Sequence, residues 1–230
     1  MTNIEKLKAT TNKKLDYALV DITQMKTLIL QNKFFINDFR KKGIQNDFLE
    51  TQNEIFKFRL FIGFLFSDLC CSLNSYFNAK SQYEEKFAIR NIIVIINEGF
   101  KKIFNFEKVN NKTKYRNNSF WIKEIKPLLI DDLNSYTLEY ERITKKLEKY
   151  LEFDFDKIKE NRDLSIHYDK NPMLIYNMII DLDFEEKASF IISFLDILDE
   201  MYFFTEKLGN HFRKDIENAF EEYKNKLQQL

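Results

Sequence analysis

Apolar residues recur along this chain at alternating steps of three and four, the period of a helix that buries one face. Over residues 3–42, Leu15, Ile22, Ile29 and Ile36 stand seven apart, with Ala18, Met25, Asn32 and Phe39 filling the companion seam. This is a coiled-coil-like repeat, in which the polar Asn32 either sets the register or contacts a second subunit. Arg40, Lys41 and Lys42 complement the helix dipole, Gly43 suits a left-handed turn, and Ile44 is placed to touch Phe39 in a Schellman arrangement. Asp47, with Glu50 three residues on, then reads as the cap of a second helix over 48–80, which repeats the period through Phe48, Ile55, Ile62, Leu69 and Tyr76. The two are expected to fold back on each other as a helical hairpin.

A third helix, 81–106, carries Ile89, Ile92, Ile93, Ile96, Phe100, Ile103 and Phe104 on its apolar face. Arg90, Asn97, Glu98 and Lys101 are read as lying broadly opposite, lining a cleft or forming a solvated face with a Glu98–Lys101 pair. Periodicity lapses over 107–118, where Lys112, Lys114 and Arg116 flank Tyr115, close to Trp121. That stretch is either a basic loop that holds a phosphate backbone and stacks a base, or a solvated connector. Helical spacing resumes through Leu133, Tyr136, Tyr140, Ile143, Leu147 and Tyr150 toward residue 167. Pro172 ends that run, an apolar stretch follows, and Asp183 with Glu186 caps a last core helix to Leu208. Gly209 is expected to kink or end that helix, and a charged amphipathic segment closes the chain. No segment alternates with the period of a half-buried strand. The predicted fold is therefore all-α, an up-down helical bundle with a long N-terminal hairpin. The expected organisation is one domain: a long first helix and turn (1–54), a core (about 55–208) and a charged C-terminal helix (209–230).

Composition agrees with long helices. Phe occurs 24 times among 230 residues, whereas Gly occurs four times and Pro twice, leaving few helix breakers. Basic and acidic residues balance at 36 each, so no global field draws the chain to nucleic acid and any RNA contact must be local. Cys70 and Cys71 are adjacent, which is poor spacing for a disulfide framework or a zinc site. A reducing cytoplasmic setting is expected. No apolar run approaches the roughly 20 residues of a membrane span.

The stretch Asn161-Arg162-Asp163-Leu164-Ser165-Ile166-His167-Tyr168-Asp169 gathers an arginine, one of the two histidines and two carboxylates just ahead of Pro172. Arg162 shares a helical stripe with Phe155 and Ile158, so it requires an anion, either Asp169 or a ligand phosphate. Asp163 stands one turn from His167, where it favours the imidazolium and fixes the tautomer. Ser165 lacks a nucleophile elbow, the glycines form no phosphate loop, and no His-Glu-x-x-His occurs. Acid–base chemistry on a phosphodiester is what remains, for which Arg and His suffice. His211, with no carboxylate one turn away, reads as a surface residue.

Arg162, Asp163 and His167 resemble the R-x4-6-H motif of the HEPN superfamily, all-helical proteins that include metal-independent ribonuclease toxins. Asp163 fits the polar position after the arginine, and Tyr168 approximates the tyrosine that often follows the histidine. The resemblance implies catalytic roles for Arg162, Asp163 and His167, RNA contacts by Tyr168, no cofactor, and a homodimer in which two motifs face each other. It also implies a cytoplasmic toxin or antiphage-defence setting, with an antitoxin or regulatory protein as a possible partner. The alternative is a non-catalytic helical module that binds RNA or a protein. A structural reading also stands, in which Arg162 pairs with Asp169 and Asp163 holds His167.

Overall fold

The computed structural model describes residues 3–104, 106–109, 112–115, 119–152 and 171–228. These form seven α-helices: α1 (Asn3–Lys41), α2 (Asp47–Phe77), α3 (Gln82–Phe104), α4 (Thr137–Tyr150), α5 (Pro172–Asp181), α6 (Phe184–His211) and α7 (Arg213–Leu227). The chain is thus a helical bundle. One short hairpin departs from the all-helical expectation. Strands β1 (Phe106–Val109) and β2 (Lys112–Tyr115) pair antiparallel, Phe106 opposite Tyr115 and Val109 opposite Lys112, within the stretch expected to be irregular.

The first turn of the chain forms as its residue types dictate. Gly43 has φ of 65°, and the amides of Gly43 and Ile44 donate to the carbonyls of Arg40 and Phe39 at 3.2 and 2.9 Å, the two bonds of a Schellman motif. Asp47 is not the cap of α2. Asn46 occupies that position without a side-chain cap, and its side-chain N–H donates back to the Ile36 carbonyl at 3.0 Å. The turn is thereby tied to α1, while Glu50 bonds Arg40.

Helix α6 packs against α1, α2, α3 and α4. Its partners on α2 run in opposite order (Arg59 with Tyr202, Gln52 with Gly209), as do those on α4 (Tyr150 with Phe194, Tyr140 with Phe204). Partners on α1 run in the same order (Lys14 with Asp199, Tyr17 with Tyr202), and so do those on α3 (Lys86 with Leu182 just ahead of α6, Phe100 with Phe194). So α6 is antiparallel to α2 and α4 and parallel to α1 and α3, an up-down arrangement with one main core and two smaller clusters, around Phe39 and around Met25, along α1. Both heptad seams of α1 face inward: Ala18, Met25, Ile29, Ile36 and Phe39 are buried.

Two buried polar layers cross α1, α2 and α6. In one, Asn32 donates to Gln52 at 3.0 Å and Gln52 donates to the Gly209 carbonyl at 2.8 Å, so Asn32 sets register within the chain. The other is the Asp21–Arg59 ion pair against Tyr202. Gly209 does not end α6, which continues to His211. A Cβ there would lie 2.8 Å from the Phe56 ring, so the glycine serves close helix approach.

Candidate functional site

Arg162, Asp163, His167 and Tyr168 lie outside the described residues, as do Asp169 and Arg116. Their frame is described on both sides. Helix α4 delivers the chain to the motif from within the core, where the Tyr150 ring sits 5.3 Å from Phe100 and 5.5 Å from Phe194. The chain re-enters at α5, whose first turn is built by Pro172 and by the Asn171 side chain accepting from the Met173 amide at 3.1 Å. Lys86 of α3 donates to the carbonyls of Ile180 and Leu182 at the far end of α5, where a cation complements the helix dipole. The described segments on either side of the motif are thus each tied to the bundle.

Most of α5 is apolar yet poorly covered. Met173, Leu174, Tyr176 and Ile180 are 57%, 48%, 58% and 47% exposed. Tyr83 and Phe87 near the start of α3 are exposed as well. Four apolar side chains of the helix after the motif are thus left uncovered within a single copy of the chain, while Ile179 packs against the core.

Of the four α3 residues grouped opposite the apolar face, Asn97 departs from that placement. It is fully buried, and neither amide atom has a hydrogen-bond partner among the described residues. Its position continues the spacing Ile93, Phe100 and Phe104, a signal for burial that the sequence did contain. An unmet buried amide costs about 1–3 kcal/mol of stability. Glu98 and Lys101 approach to 3.8 Å as the expected surface pair, and Arg90 is half-buried.

Lys112 and Lys114 fall on β2, opposite Val109 and Glu107. Trp121 is no base-stacking residue. It is fully buried, its ring stacked 4.6 Å from Tyr140 and its indole N–H donating to the Thr144 hydroxyl at 2.9 Å. Ser119 fixes this segment to the end of α3 by donating to the Ile103 carbonyl and accepting from the Ile122 amide. His211 is half-buried rather than a plain surface residue: its ring packs edge-on against Tyr136, with Nδ1 3.5 Å from the tyrosine hydroxyl.

No family model, curated protein or solved structure matches the chain. Among the described residues, no group of three His, Cys, Asp or Glu side chains is placed to hold a metal ion, and no helix is long and apolar enough to cross a membrane.

Proposed function

We propose that this chain is a metal-independent endoribonuclease of the HEPN type, acting in toxin-like or antiphage defence. The observation that carries the reading is the spacing of Arg162, Asp163 and His167 within a chain whose described residues form a helical bundle. RNA supplies its own nucleophile. His167, in its neutral form, takes the proton of the 2′-OH as that oxygen attacks the phosphorus, or in its protonated form donates to the departing 5′-oxygen. Arg162 binds the non-bridging oxygens as charge accumulates on them. Asp163 holds the imidazole tautomer and favours the imidazolium. The products are a 2′,3′-cyclic phosphate and a 5′-hydroxyl.

One histidine cannot serve as acid and base at once, so the reaction calls for two motifs. The outward apolar face of α5 supports a homodimer that brings them together. Light scattering checks this, and a monomer at micromolar concentration with RNA present would rule out the composite site. Lys112, Lys114 and Arg116 are proposed to hold the RNA backbone. Replacing all three with alanine is expected to weaken binding and flatten its salt dependence.

The deciding experiment measures cleavage of labelled RNA, with chelator present, alongside thermal unfolding of Arg162→Ala, His167→Ala and Arg162→Lys. Loss of cleavage by roughly 10²–10⁴-fold in His167→Ala and about 10²–10³-fold in Arg162→Ala, with unchanged melting, is the expected result. Arg162→Lys keeps the charge but loses the planar fork, and is expected to be impaired too. Mutants that cleave normally but melt far lower would show a structural cluster instead. RNA binding without cleavage by the wild type would favour the non-catalytic module.

A further inference from the structure

A cleft of about 460 Å³ opens between α1 and α6, far along the chain from the motif. Tyr17, Phe66, Tyr202 and Phe203 wall it with aromatic rings, and Thr10, Lys13, Lys14 and Asp199 stand at its polar edge. We propose that this cleft binds a small aromatic anion, a flat apolar ring system carrying one negative group. The proposal is independent of the ribonuclease reading.

Three features support this ligand class. The back wall is preorganised: the Tyr202 ring lies 4.7 Å from the Arg59 guanidinium, which is itself held by two hydrogen bonds of 3.1 and 2.7 Å to Asp21. Tyr17 sits 5.8 Å from Tyr202 at a 58° tilt, leaving ring surface turned to the opening. Tyr17 and Phe203 are 52% and 60% exposed although both line a concavity, so a flat apolar guest would cover surface that the chain itself leaves wet. The charge at the edge sets the sign of the guest. Lys14 is engaged by Asp199 and lies 5.4 Å above the Phe66 ring, whereas Lys13 is exposed and takes no part in that pair. Asp196 also stands close to Lys14 and Asp199, so that cluster balances its own charge, and Lys13, outside the Lys14–Asp199 pair, is the cation placed to meet a negative group on the guest.

The test uses the full chain and two fluorescent probes with one skeleton: 8-anilino-1-naphthalenesulfonate and its uncharged parent, N-phenyl-1-naphthylamine. Saturable binding at one site is expected for the sulfonate. Tyr17→Ala and Phe203→Ala, both at exposed rings, are expected to weaken it by about 10-fold or more with circular dichroism unchanged. Lys13→Glu is expected to weaken the sulfonate by roughly 3- to 10-fold and to leave the neutral probe alone. Phe34→Ala is the control, since Phe34 is 62% exposed on α1 but does not line the cleft. Binding that persists in Phe203→Ala, or that falls equally in Phe34→Ala, overturns the site. Sulfonate affinity unaltered by Lys13→Glu overturns the anionic requirement.

Discussion

Replacing Asp21 with alanine leaves the Arg59 guanidinium in a setting where its side chain is only 7% exposed and its two hydrogen-bond acceptors are gone. A buried charge that loses its partner costs about 3–5 kcal/mol. Glu206, 3.9 Å from Arg59 and 43% exposed, takes up part of that charge, and the Tyr202 ring keeps its cation–π contact, so the lower end applies. A loss of about 3 kcal/mol corresponds to a fall of roughly 6–12 °C in melting temperature for a domain of this size. Replacing both partners, Asp21→Leu with Arg59→Met, removes the charges together and is expected to be less harmful than Asp21→Ala alone. Urea unfolding followed by circular dichroism measures both, with an unchanged m-value showing that stability rather than compactness has moved. An Asp21→Ala protein within about 1 kcal/mol of wild type would mean that the pair behaves as an exposed one. The reading of Asp21–Arg59 as a desolvated pair would then fall.

Gly209→Ala drives a Cβ to 2.8 Å from the Phe56 ring. Overpacking of about 1–3 kcal/mol outweighs the roughly 1 kcal/mol gained in helix propensity, so denaturant titration is expected to show net destabilisation. Burial pushes the Cys70 thiol up to about 12, while Cys71 is exposed. One thiol is therefore expected to react with an alkylating reagent in the native protein at mildly alkaline pH and two after denaturation, as counted by mass spectrometry. For Glu200, burial raises the carboxyl pKa, but hydrogen bonds from Lys146 and Arg142 outweigh it and hold the group below its ordinary 4.5. Its stabilisation is fully present above that value and is lost as pH falls through the lower folded-state one. Glu200→Gln is accordingly expected to lose less melting temperature than wild type between about pH 5 and pH 3.

Much of the local chemistry was legible in the sequence, although the cap of α2 was not. The heptad of α1, the left-handed Gly43, the Ile44–Phe39 closure and the Asp183 cap on the Glu185 amide follow from residue type and near-neighbour spacing. So did the helical bundle, because long three-four periodicity with few breakers leaves no other way to bury the apolar stripes. The motif at Arg162 and His167 rests on spacing alone and lies outside the described residues, so it remains a proposal. What only the tertiary structure decided are contacts between residues far apart in the chain. Asn46 prefers the Ile36 carbonyl to its own helix end, Trp121 fills the core between Phe58, Tyr140 and Phe204, and Gly209 gives way to Phe56. Asn97 belongs to the apolar spacing of α3, yet its burial depends on which neighbours close over it. Arg59 and Asp21 stand 38 residues apart and each looks like a surface charge in its own helix. Their desolvation, the aromatic cleft between α1 and α6, and the uncovered face of α5 arise from packing three or more helices together, which no single periodicity encodes.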